Sequence, residues 1–74
     1  MRQEDLREHL HRRPFAPFRL HLSSGAFFDI RQPQLVDLGR STLTIGFPVE
    51  DNHQLFVQIS LVHIVWVEVN LLAP

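Results

Sequence analysis

The five histidines of this 74-residue chain have the widest chemical range, because imidazole can bind a metal or move a proton near neutral pH. His9 and His11 are two residues apart in a predicted helix, so they point to different sides and cannot hold one ion together. His21 and His63 could meet across neighbouring strands, but a zinc site needs three or four ligands and none is obvious beside them. The chain contains no cysteine. We therefore predict no metal site and no cofactor.

Serine, histidine and carboxylate side chains would support acid–base or nucleophilic catalysis if they converged on one site. Ser23, Ser24 and Ser41 lie in predicted turns, where a hydroxyl group has an ordinary role in closing the turn. Asp29 and Asp37 are the candidate pair of carboxylates, but we expect the nearby Arg31 and Arg40 to pair with them instead. A chain this short also has little volume for a water-excluded pocket of about 300 Å³ or more. We therefore predict that the protein is not an enzyme.

The chain contains seven arginines and no lysine, and all seven arginines lie within residues 1–40. Arginine can bind a phosphate through two N–H groups and can stack on a base or an aromatic ring. The net charge of −1 nevertheless argues against strong non-specific binding to nucleic acid. We therefore favour a solvated sheet face with Arg–Asp pairs, and RNA or DNA binding is the alternative. The candidate residues for contact with nucleic acid or a partner are Arg12, Arg13, Arg19, His21, Phe27, Arg31 and Arg40.

The C-terminal segment from Leu61 to Leu72 is the most apolar part of the chain. It is too apolar for an exposed edge strand, so it either completes the core or pairs with another chain. A small domain without disulfides gains much from association, and we expect a homo-oligomer that also binds a protein partner. If Trp66 is buried, its replacement by alanine costs about 3–5 kcal/mol. The candidate oligomer contacts are Ile64, Trp66, Leu71 and Leu72.

A short helix is predicted over residues 3–12, where Leu6 and Leu10 form one narrow apolar stripe that ends before Pro14. Such a helix is not stable alone and must pack on a sheet.

Alternation of apolar and polar residues predicts an antiparallel sheet over residues 18–69. Residues 18–31 form a hairpin in this prediction, with Gly25 at a turn position of positive φ. The stretch after Pro33 is either a brief strand or a helical turn, and residues 60–63 are a 3₁₀-type turn. Further strands are predicted at 42–47, 54–59 and 64–69.

The whole chain, residues 1–74, is therefore expected to be one domain of mainly β (α+β) class. The prediction is an N-terminal helix followed by a five-stranded antiparallel small barrel, SH3-like or Sm-like, or by a strongly bent meander. No apolar run is long enough to span a bilayer and no secretory signal is present, so we expect a cytoplasmic protein without membrane contact.

Residues 13–25 read RPFAPFRLHLSSG, and this stretch resembles small bacterial proteins that share an RPFxPFRLHLxxG pattern. That resemblance covers nearly the whole chain but implies no activity. The order of elements is also similar to the Sm-like fold of the bacterial RNA chaperone Hfq. Gln58, Ile59 and Ser60 stand where that family has a Tyr-Lys-His run, so its RNA-contacting residues are not carried over. We predict a non-catalytic interaction module that self-associates, and the alternative is an Sm-like nucleic-acid-binding regulator that uses the arginine-rich hairpin face.

Overall fold

The computed structural model describes residues 1–69 of the chain. Within this range it contains one α-helix, six β-strands and two 3₁₀ turns. The 3₁₀ turns cover Pro33–Leu35 and Leu61–His63. The other elements are α1 (Gln3–His11), β1 (Phe18–Leu22), β2 (Phe27–Ile30), β3 (Val36–Leu38), β4 (Thr42–Pro48), β5 (Gln54–Ser60) and β6 (Ile64–Val69).

Helix α1 is confirmed and ends at His11, one residue before the predicted end. Leu6 and Leu10 are both buried in the core, as expected for apolar residues spaced four apart on one helical face. Packing of this stripe on the sheets stabilises a helix that is too short to form alone.

Sheet A has the strand order β2-β1-β6, and each neighbouring pair is antiparallel. The predicted hairpin is confirmed, because β1 and β2 pair directly and the Gly25 amide donates to the Leu22 carbonyl at 3.0 Å. Gly25 has a φ of 93°, a conformation that glycine adopts without steric penalty.

Sheet B has the order β3-β4-β5, again antiparallel throughout. The stretch after Pro33 contains both features that the sequence left open, a 3₁₀ turn followed by the short strand β3. Asp51 and Asn52 lie at the centre of the turn between β4 and β5, with φ values of 58° and 65°. The His53 amide closes this turn by donating to the Glu50 carbonyl at 3.1 Å. Two consecutive positive φ angles define a type I′ hairpin turn, in which Asp and Asn are favoured.

Six strands in two sheets replace the five strands in one sheet that the sequence predicted. The break lies at Pro33, which has no N–H group for a strand ladder and opens the 3₁₀ turn. The chain therefore leaves sheet A after Ile30 and enters sheet B at Val36. The mainly β, antiparallel architecture is confirmed, whereas a closed five-stranded barrel is not seen among residues 1–69.

The inner faces of the two sheets and the apolar stripe of α1 form one hydrophobic cluster. Leu20 and Ile45, predicted to point inward, are buried, and Val57 is half-buried. No helix within residues 1–69 is long and apolar enough to cross a membrane. The buried side chains of the cluster are Leu6, Leu10, Phe18, Leu20, Ile30, Leu43, Ile45, Ile59, Leu61 and Ile64.

Candidate interaction surfaces

The outer face of sheet A carries a row of three aromatic rings, one from each strand. Strand register places Trp66 of β6 beside His21 of β1, and His21 beside Phe27 of β2. The Trp66 and His21 rings are stacked, with centroids 3.9 Å apart and planes within 3° of parallel. The His21 and Phe27 centroids are 6.2 Å apart. Side chains on alternate strand positions share one face, so this row follows directly from the pairing register.

A charged row lies next to the rings on the same face. Its members are Glu68, Arg19 and Asp29, which strand register again places side by side. Arg19 donates two hydrogen bonds to Asp29, from Nε at 2.6 Å and from Nη2 at 3.1 Å. Its Cζ atom also lies 4.1 Å from the centroid of the Phe27 ring. His21 Nε2 is 2.9 Å from Glu68 Oε1, so the two rows are linked. We call this combined surface the aromatic face.

Ion pairs with Asp29 determine the charge properties of the aromatic face. The hydrogen bonds from Arg19 hold the pKa of Asp29 below its ordinary value, and the same contact raises the pKa of Arg19. We expected Arg31 to pair with Asp29, but its Nη2 is 3.7 Å from Oδ2 and Arg19 is the principal partner. Both arginines thus share one carboxylate. A phosphate group would have to compete with that carboxylate for either guanidinium.

The structure brings together only part of the predicted contact set. Arg19, His21 and Phe27 lie on the aromatic face, and Arg31 follows at the end of β2. Arg12 and Arg13 are exposed just after the helix, and Arg40 is exposed in the turn between β3 and β4. None of these last three belongs to a strand of sheet A.

His21 and His63, which could have met across neighbouring strands, have separate partners. His21 contacts Glu68, whereas His63 Nδ1 lies 3.2 Å from the Ser23 hydroxyl. A cleft of about 530 Å³ beside His63 is lined by neither His21 nor a carboxylate. The candidate carboxylates Asp29 and Asp37 lie in different sheets. Among residues 1–69 no three His, Asp or Glu side chains are placed to hold a metal ion.

The predicted oligomer contacts of the last strand differ in exposure. Ile64 is 2% exposed and belongs to the core, so its side chain is unavailable for contact with another chain. Trp66 is 50% exposed, and its ring is covered on one side by His21. Leu71 and Leu72 lie outside the described residues. Of the predicted set, Trp66 alone is therefore placed at the surface of residues 1–69.

Strand β5 is the surface that sequence reasoning missed. Among residues 1–69 it lies at the edge of sheet B and pairs with β4 alone. It reads QLFVQIS, seven residues without a charge or a proline. Leu55 and Phe56 are 55% and 63% exposed. The absence of charge in this segment was a usable signal, but the sequence does not show which strands lie at an edge.

No protein-family model, no curated protein and no solved structure matches this chain. Neither fold family nor relative therefore supplies a function. Residues 1–69 present two candidate interaction surfaces, the aromatic face and the edge of β5.

Proposed function

We propose that this chain is a non-catalytic interaction module that self-associates through the free edge of β5 and offers the aromatic face to a protein partner. The observation that supports this most strongly is the composition of the β5 edge. An edge strand exposes unpaired N–H and C=O groups, and proteins that remain monomeric usually protect such edges with charge, proline, bulges or short length. Strand β5 has none of these devices.

The other three edge strands are protected by comparison. β2 and β3 are four and three residues long, and each contains an aspartate. β6 contains Glu68, and its register with β1 shifts between His21 and Leu22. A register shift of this kind bends an edge away from further pairing. The contrast makes β5 the preferred edge for pairing with another strand.

Exposed apolar side chains on β5 would add to the energy of association. Leu55 and Phe56 each keep more than half of their surface in water. Complete burial of such a side chain contributes about 1.5–3 kcal/mol, so covering the exposed half of each is worth about 1 kcal/mol. For a domain of this size, which has no cysteine, such a contribution is a large fraction of total stability.

The aromatic face fits a protein partner better than a nucleic acid. Arg19 of this face shares Asp29 with the neighbouring Arg31, and Glu68 adds a negative charge beside Arg19. Phosphate contacts, which dominate binding to nucleic acids, need free positive charge. Protein interfaces are instead enriched in tryptophan, phenylalanine and arginine with matched polar groups.

The finer fold class is also a proposal. The N-terminal helix and the 3₁₀ turn before the last strand follow the element order that the Sm-like resemblance implies. The last strand, β6, also pairs with the first, as closure of a small barrel requires. We interpret the two sheets as the halves of a small barrel of SH3-like or Sm-like kind, opened where Pro33 interrupts the path from β2 to β3. Fold alone does not assign function, so the case for self-association depends on the β5 edge.

Self-association is tested by measuring molar mass in solution as a function of protein concentration. The parent protein should exceed the monomer mass of 8.7 kDa at high concentration and return to it on dilution. Gln58 is an exposed position of β5, and Gln58→Lys places a charge at the edge that should shift the protein to monomer. Gln34→Lys makes the same change at an exposed position of the first 3₁₀ turn and should behave like the parent. A monomer mass at every concentration would refute the proposal.

Retention on heparin at low salt separates the protein-binding proposal from the nucleic-acid alternative. We expect no retention, because Arg19 of the aromatic face and the neighbouring Arg31 are both paired with Asp29. Salt-sensitive retention that is lost in Arg19→Gln with Arg31→Gln would favour the nucleic-acid-binding regulator instead.

A further inference from the structure

We propose that two copies of the chain pair β5 with β5 in antiparallel orientation, about a two-fold axis that passes through Val57. Sheet B of one copy and sheet B of the other, each with three strands, would then form one six-stranded sheet. This inference rests on the proposed self-association and specifies which edge meets which, and in what register.

Pairing of β5 with itself is favoured because it needs only one unprotected edge. A two-fold interface uses the same surface on both copies and closes after two chains. Pairing of β5 with β6 would instead require the edge that carries Glu68 and the register shift. It would also leave a free β5 edge at one end of every open assembly.

The register follows from the two faces of β5. Leu55, Val57 and Ile59 alternate toward the core side, and Phe56 and Gln58 toward the outer side. When two copies of β5 continue one sheet, the core-facing residues of one strand must lie opposite core-facing residues of the other. A shift of the pairing register by one residue would turn every side chain to the wrong face. A two-fold axis through Val57 meets this condition and aligns all seven residues of each strand. An axis one residue away leaves the strand ends unpaired.

Packing in this register covers the side chains that the single chain leaves exposed. Leu55, 55% exposed, would lie opposite the partner's Ile59, next to the buried end of the core. Phe56 would lie opposite the partner's Gln58. Because β5 contains no charged residue, no like charges are brought together across the axis.

Cysteine cross-linking tests the register directly, since the chain has no cysteine of its own. Residues directly opposite in an antiparallel pair have Cα atoms about 4.5–5.5 Å apart. A disulfide spans about 4.4–6.8 Å between Cα atoms. Val57→Cys faces its own copy across the axis, so mild oxidation should convert most of this variant to a covalent dimer on a non-reducing gel.

Matched controls come from the two neighbouring positions. Phe56→Cys alone and Gln58→Cys alone should stay largely monomeric on the gel, because each faces its own copy only diagonally, about 7–8 Å away. The double variant Phe56→Cys with Gln58→Cys should cross-link, since each cysteine lies opposite the other. The side chains at positions 56 and 58 point away from the core, so the double variant should still fold and gives a second test of the register if Val57→Cys does not fold.

Molar mass measured before oxidation separates the two proposals. If a variant associates but neither Val57→Cys nor the double variant cross-links, the two-fold register is wrong and self-association stands. Cross-linking in a mixture of Phe56→Cys and Trp66→Cys would likewise overturn the register, because it requires β5 to meet β6. If the parent protein is monomeric at every concentration, the proposed function fails together with this inference.

Discussion

Replacement of Trp66 by alanine removes a ring that is half in water and half in contact with the protein. A fully buried aromatic side chain costs about 3–5 kcal/mol on truncation to alanine. Trp66 is 50% exposed, and its ring stacks on that of His21 with centroids 3.9 Å apart. We therefore expect Trp66→Ala to lower the free energy of unfolding by about 2 kcal/mol, half of the full-burial cost. This replaces the larger loss that burial of Trp66 would have implied.

Urea unfolding followed by far-UV circular dichroism measures this loss, because the only tryptophan is removed and fluorescence is unsuitable. Low protein concentration keeps association out of the measurement. Val62→Ala, at a side chain 79% exposed, serves as the control with little expected change. Leu20→Ala, in the core at 0% exposed, should cost more, about 3–5 kcal/mol. If Trp66→Ala matches Leu20→Ala, or matches Val62→Ala, the half-buried stack is wrongly described.

Substitutions at two further positions test local features of the fold. The lowered pKa of Asp29 contributes stability that is present above its ordinary value of 3.8 and is lost as pH falls through the lowered value. Asp29→Asn should therefore have a lower melting temperature than the parent near neutral pH. The difference in melting temperature should disappear as the solution is acidified through the pKa of Asp29. A difference that stays constant with pH would mean that the Arg19 contact does not set the pKa of Asp29. Asn52 has a φ of 65°, so Asn52→Val should cost about 1–2 kcal/mol in urea unfolding whereas Asn52→Gly should be neutral or stabilising. Equal stability of the two variants would argue against the type I′ turn.

Local patterns in the sequence predicted most of the elements because their causes are local. Alternation placed Leu20 and Ile45 inward, and the four-residue spacing of two leucines predicted the buried stripe of α1. Gly25 predicted its turn through the steric freedom of glycine. Each of these signals lies within a few residues of the feature that it predicts.

Properties that depend on pairing between distant segments could not be predicted in this way. The division into two sheets depends on where the chain goes after Pro33, and the sequence fits either a strand or a turn there. The Arg19–Asp29 contact requires the register of the hairpin, since Arg31 is nearer to Asp29 in sequence. The sequence left open whether Trp66 completes the core or meets another chain, and only strand register places it on the outer face beside His21.

Amide hydrogen exchange of β5 as a function of protein concentration tests self-association through this edge most directly. In a single chain, alternate amides of β5 point away from β4 and exchange rapidly with water. In a β5-paired assembly they are hydrogen-bonded, so their protection should rise with concentration. The amides of β1, which is flanked by β2 and β6, should show no such dependence. Exchange in β5 that is equally fast at low and high concentration would contradict pairing through this edge.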